Sequence, residues 1–268
     1  MSKDRIAECK KSIQGDLSEI LAVLDFAVAA FRTYASSGDL LAWLRGYGEQ
    51  DLSKVIDEFR TLTRITDLNL FFQSLFVQIW STFELAIRNL ILGYLDECYR
   101  KHKDFSSLQN AKIIERNLYH SGVALQQVFE NRSHLDLKFF EIAKNIGTSI
   151  PSSADVKLNA VAFTLFSKGP SALGIEEALT RIGISKFDWD ALGKIAEVQK
   201  VFGTRKVRET TNQIKDFLAQ AERTRNHIVH RGENIQPITE SQLREHAAKF
   251  EVLANGIADH LQQRLDKI

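Results

Sequence analysis

The sequence predicts an all-α protein, and three observations carry that expectation. Apolar residues recur at helical spacing over several long stretches, only Pro151, Pro170 and Pro237 interrupt the 268 residues, and a hydrophobic content of 44 % is enough for a true core. The expected architecture is an antiparallel helical bundle over 67–268, preceded by a helical extension at 1–66. An irregular insertion of short elements, 133–205, separates the long bundle helices.

Taken in order, Ile6, Cys9, Ile13, Leu17, Ile20, Leu24, Ala27 and Phe31 mark a first helix, which Ser36-Ser37-Gly38 is expected to end. A short helix through Leu40, Leu41 and Leu44 follows, then a break at Gly46-Tyr47-Gly48. Asp51 is placed to cap a further helix through Leu52, Val55, Ile56, Phe59 and Leu62. No chemistry is visible in this first quarter; its apolar stripes read as an added helical layer or a dimer arm.

Asp67 reads as the cap of the main helix, Leu68 to about Lys101. Its wide apolar face (Phe71, Phe72, Leu75, Ile79, Phe83, Ile87, Leu90, Ile91, Leu95) suits the centre of a bundle. Glu84 interrupts that face, and an acid there must be paired, hydrogen-bonded or shifted in pKa. Arg88, four residues on, is the simplest partner. Asn110 to Asn131 reads as a helix antiparallel to the main one, with Gly122 as a weak point. From Ser133 the pattern loosens. A polar loop spans Gly147 to Asp155, Val156 to Phe166 reads as a strand or a buried turn, and short helices are expected at Ile175–Ile182 and Asp188–Val198.

A long amphipathic helix is then expected from about Thr211, ending before Gly232. Thr239-x-x-Gln242 forms a capping box for the last helix, whose stripe is Leu243, Ala247, Phe250, Ala254, Ile257 and Leu261.

A net charge of +1 exerts no global pull on nucleic acid or membrane, so any attraction must be local. Between Lys200 and Arg231 there are eight Lys or Arg against three acids. Cys9 and Cys98 are too few for a disulfide framework or a zinc knuckle. The charged N-terminus lacks a signal-peptide core, and the uncharged run Leu68–Phe83 is broken by Asn69, Gln73, Ser74 and Gln78. A cytoplasmic protein with no membrane association is expected.

The candidate site is Arg223-Thr224-Arg225-Asn226-His227-Ile228-Val229-His230-Arg231. Arginine offers phosphate a fixed planar fork, and histidine titrates near neutral pH. Asn226 and His230 stand four apart on one helix face. Arg225-Asn226-x-x-x-His230 resembles the signature of the HEPN superfamily, an Arg followed after four to six residues by His, with a polar residue often next to the Arg. The subgroup it is most similar to is RiboL-PSP-HEPN. Arg223 and His230 also satisfy the spacing, with a gap of six, whereas Arg116-Asn117-Leu118-Tyr119-His120 misses it with a gap of three. Phe83-Glu84 resembles an aromatic-Glu pair of the subgroup, which makes Glu84 a supporting candidate.

The resemblance implies a metal-independent endoribonuclease of toxin or antiphage-defence type, working as a homodimer on RNA without a cofactor. An antitoxin or other regulatory partner protein would fit such a role. His230 would move protons, Arg225 would hold phosphate oxygens and Asn226 would orient the sugar, the phosphate or His230. Arg223, His227 and Arg231 are secondary candidates for backbone contacts. Three alternatives stand beside this: a non-catalytic dimerisation module binding RNA or a nucleotide, a metal site built on His227 and His230, and a merely basic helix end favoured by the macrodipole.

Overall fold

The computed structural model describes residues 5–45, 68–102, 105–110, 112–130, 138–151, 155–164, 169–184, 187–231 and 237–267, with the side chains of 30–45, 68, 110 and 231 excepted. The expectations for Gly46-Tyr47-Gly48, the helix after Asp51 and the Asp67 cap lie outside these residues. Helices account for most of the described chain, and no strand occurs among the described residues.

Four long helices form the framework: α1 (Arg5–Arg45), α2 (Leu68–Lys101), α10 (Val207–Arg231) and α11 (Glu240–Leu265). The seven shorter ones are α3 (Phe105–Asn110), α4 (Ile113–Phe129), α5 (Phe139–Gly147), α6 (Ala160–Phe163), α7 (Ala172–Arg181), α8 (Trp189–Gly193) and α9 (Ala196–Val201).

α1 does not stop at Ser36-Ser37-Gly38; its backbone is helical through to Arg45. One glycine costs about 1 kcal/mol in a helix interior, which a long cooperative helix absorbs. Ile6, Ile13, Leu17 and Leu24 are buried in the same core as α2 and α11. The direction of packing follows from side-chain pairs. Lys10 bonds Asp259 at 2.7 Å and Arg244 bonds Asp25, so α1 runs antiparallel to α11. Along α2 and α11 the pairs ascend together: Asn69 accepts from the backbone of Ile238, Phe76 meets His246 at 5.1 Å, and Phe83 stacks on Phe250 at 4.6 Å. These two helices therefore run parallel, with α1 antiparallel to both.

α2 is the centre of the bundle. Leu75, Phe76, Ile79, Trp80, Phe83, Ile87, Ile91 and Leu95 are all buried, which explains a helix apolar enough by length and mean hydropathy to span a membrane. Burial of each large side chain contributes about 1.5–3 kcal/mol. α11 starts at the expected capping box: Thr239 Oγ1 accepts from Gln242 N at 3.3 Å, and Gln242 Oε1 accepts from Thr239 N at 2.8 Å. Every residue of its expected stripe is buried.

The middle of the chain departs from expectation in two places. α4 is unbroken at Gly122 and packs on α5 and α6 rather than along α2. Of the strand or buried turn expected from Val156, the turn forms: the chain runs irregularly to α6, where Ala162 and Phe163 are buried. The helix expected at Asp188–Val198 is two, α8 and α9, broken at Lys194-Ile195. Ile175, Leu179, Trp189, Leu192 and Val198 from these elements join the main core.

A buried amide network fixes this half. Asn159 receives Asn145 Nδ2 at 2.8 Å on its Oδ1. Its own Nδ2 donates to Ser121 Oγ at 2.8 Å and to the Ile142 carbonyl at 3.1 Å, and its backbone N–H donates to Asn117 Oδ1 at 2.8 Å. Asn117 Nδ2 completes it on Ser149 Oγ at 3.1 Å.

Candidate functional site

α10 begins at Val207, a turn earlier than expected, and is fastened at that end. Thr211 Oγ1 donates to Asp190 Oδ1 at 2.8 Å, and a Cβ on Gly193 would sit 2.8 Å from Thr211 Oγ1 and 2.9 Å from the Val207 carbonyl. Ile214, Leu218 and Ala221 are fully buried, Phe217 meets Phe250 at 5.0 Å, and Ile228 packs on the same core. This stripe fixes the rotation of the helix.

With Ile228 inward, the helical turn of 100° per residue sends Asn226 and His230 outward and leaves Arg225 on the flank. Asn226, His227 and His230 are exposed, and Arg225 is half-buried. Arg225 reaches round the helix: its Nη1 donates to Asn226 Oδ1 at 3.1 Å. Arg223 turns the other way, its Nε donating to the Ala219 carbonyl at 3.2 Å, back along the helix and away from His230. Among the described residues His230 has no hydrogen-bond partner. Arg231 closes the helix; its side chain lies outside the described atoms.

Glu84 is half-buried on α2 and bonds Arg88 Nη2 at 2.7 Å. No hydrogen bond or ion pair joins it to α10 among the described residues. Glu222 of α10 and Trp80 of α2 both lie beside Gly169, with Glu222 Oε1 3.7 Å and Trp80 Cζ2 3.3 Å from the point where a Gly169 Cβ would stand.

No three His, Cys, Asp or Glu side chains gather among the described residues. His246 and His260 serve packing: His246 lies edge-on to Phe76 with Nδ1 2.6 Å from the Gln242 carbonyl, and His260 lies edge-on to Phe187 at 5.0 Å. Burial lowers both imidazoles below their ordinary range.

The Arg116-Asn117 pair, the near miss to the motif, has a different environment. Asn117 is fully buried in the amide network, and His120, half-buried against Phe163 at 5.4 Å, is lowered to about 4 by desolvation and then by the Arg181 and Arg116 charges. Asn117 is therefore wired into the core, whereas Asn226 stands on the exposed face near a helix end.

These features define an all-α bundle domain that presents a short polar and basic array at the C-terminal end of its penultimate helix. The chain belongs to the RiboL-PSP-HEPN family, whose model matches residues 48–263 and so takes in α2 to α10 and nearly all of α11. No curated protein and no solved structure matches the chain.

Proposed function

We propose that the protein is a metal-independent endoribonuclease of toxin or defence type, acting from the cytoplasm as a homodimer. The observation that carries this reading is the Arg225–Asn226 hydrogen bond on the face that His230 shares, in a chain belonging to a HEPN-type family.

In this reading RNA supplies its own nucleophile. The 2′-oxygen attacks the adjacent phosphorus as its proton leaves to a base. The bond from phosphorus to the 5′-oxygen breaks, and that oxygen takes up a proton, leaving a 2′,3′-cyclic phosphate and a 5′-hydroxyl. His230 moves a proton, which suits an imidazole near neutral pH. Arg225 neutralises charge growing on the non-bridging oxygens, and Asn226 holds the Arg225 fork in register with the His230 face.

Asn226, His227 and His230 are exposed, and an exposed helix face alone encloses no substrate. A second copy related by a two-fold axis would turn two such faces into one cleft, with Arg225 of each copy available to the opposite His230. The test is a cleavage assay on single-stranded RNA and on the same strand carrying a 2′-deoxy sugar at the cut position. Cleavage is expected for the first only; cutting of both removes the 2′-hydroxyl mechanism. If neither is cut, but RNA binds and Arg225→Ala weakens that binding, the domain is an RNA-binding module.

A further inference from the structure

Away from α10, a cleft of about 550 Å³ opens between α4 and α7 over the turn α6. Lys112, the residue before α4, lines it with Glu115, Arg116, Tyr119 and His120 of α4; α7 supplies Glu177, Thr180 and Arg181. Such a volume lies within the range of small-molecule sites.

Its charges are arranged unevenly. Arg181 is held by Glu177 at 2.6 Å, and Glu115 accepts a long 3.4 Å bond from Gln109. Among the described residues Lys112 and Arg116 form no ion pair, although both line the cleft. Beside them Tyr119 is 69 % exposed, a large ring left in solvent next to two cations. His120 crosses it edge-on at 5.1 Å and is itself seated on Phe163. A charged fork, a point charge and an unstacked aromatic face in one concavity match an anion attached to a flat heterocycle.

We propose that this cleft binds a nucleoside monophosphate group, with the phosphate on Lys112 and Arg116 and the base against Tyr119. The buried Asn117, between Arg116 and Tyr119 in sequence, holds this stretch of α4 in place through the amide network. The assignment is independent of the nuclease reading, since none of these residues belongs to α10. His120 reports occupancy: it faces Arg116 from its own helix and Arg181 and Glu177 from α7, so a phosphate entering there raises its pKa from about 4.

The test is nuclear magnetic resonance of the histidine and tyrosine rings in the full chain, in an Arg225→Ala/His230→Ala background that disables the α10 site. Adenosine 5′-monophosphate, adenosine and inorganic phosphate are titrated separately. The monophosphate is expected to shift the Tyr119 and His120 signals saturably and to raise the His120 pKa, with adenosine and phosphate each at least about tenfold weaker. Arg116→Ala should weaken the monophosphate at least tenfold with no change in melting temperature, and Tyr119→Ala should bring it down to the affinity of phosphate alone. Equal binding of adenosine and its monophosphate, unchanged binding in Arg116→Ala, or silent Tyr119 and His120 signals at millimolar ligand each overturns the proposal. An RNA oligonucleotide with a 5′-phosphate that competes, when its 5′-hydroxyl twin does not, identifies the ligand as a strand end. Competition by neither identifies it as a free nucleotide.

Discussion

Arg225 Nη1 donates to Asn226 Oδ1 at 3.1 Å, although adjacent residues on a helix point about 100° apart. The long arginine side chain wraps toward the outer face to reach the amide. Its positive fork is thereby brought toward the face that carries His230, from a backbone position about 140° away. Arg223, only about 20° from His230 in rotation, spends its Nε on the Ala219 carbonyl and points toward the other end of α10.

Arg225→Ala and His230→Ala are therefore expected to abolish RNA cleavage, with a loss of roughly 10²–10⁴-fold for the proton-transfer group. The helical circular-dichroism signal should be unchanged, because both side chains lie off the buried stripe. Asn226→Ala frees the Arg225 fork and should give an intermediate loss. Arg223→Ala should only weaken RNA binding modestly, most visibly at higher salt. A dead Arg223→Ala beside an active Arg225→Ala would reverse the assignment.

Cleavage is expected to survive EDTA, since the proposed mechanism assigns proton transfer to His230 and phosphate charge to Arg225 and none to a metal-bound hydroxide. Product analysis should find 2′,3′-cyclic phosphate ends. Loss of activity in chelator, with recovery on adding Zn²⁺ or Mn²⁺, would instead support a metal site that includes His227 and His230.

Sedimentation should give a dimer at micromolar concentration. Mixing inactive Arg225→Ala chains with inactive His230→Ala chains should restore part of the cleavage if each arginine serves the opposite histidine. A monomer with full activity would sink the composite site.

The long helices were legible because burial on one side writes itself as a 3.6-residue period, as in Leu243 to Leu261 of α11 and Leu75 to Leu95 of α2. The Arg225-Asn226-x-x-x-His230 string was legible as a candidate because it lies within one helix. What sequence did not disclose was relational. Nothing in Ser36-Ser37-Gly38 says that a helix continues through it, and nothing in Val156 to Thr164 decides between a strand and the buried turn that forms there. The same holds for Arg116-Asn117 and Arg225-Asn226, alike as strings. Only packing distinguishes Asn117, bonded to Ser149 and Asn159 in the core, from the exposed Asn226. The α4–α7 cleft joins residues about sixty apart in the chain, beyond the reach of any local motif.

Asn159→Ala should destabilise the protein by about 2–3 kcal/mol, because buried groups on Asn145, Ser121 and Ile142 would each lose a partner. Asn159→Asp should fare no better: it places a charge in the core and removes the two amide donor bonds. Denaturant titration measures this directly, and a change below about 0.5 kcal/mol would show that water replaces the network.

Stability should also fall as the solution is acidified from pH 7 toward pH 4, and part of that fall belongs to His120. Desolvation, then the Arg181 and Arg116 charges, lower its pKa to about 4, whereas in the unfolded chain it titrates near 6.5. Between those values the unfolded chain binds the extra proton, so stability rises with pH across the window and is level above it. His246 and His260, lowered chiefly by burial, act in the same direction. His120→Gln keeps a planar polar group against Phe163 but removes the titration. The variant should therefore lose less melting temperature between pH 7 and pH 5 than the parent chain does. Parallel curves for the two proteins over that interval would show that His120 protonates as freely in the fold as in the unfolded chain.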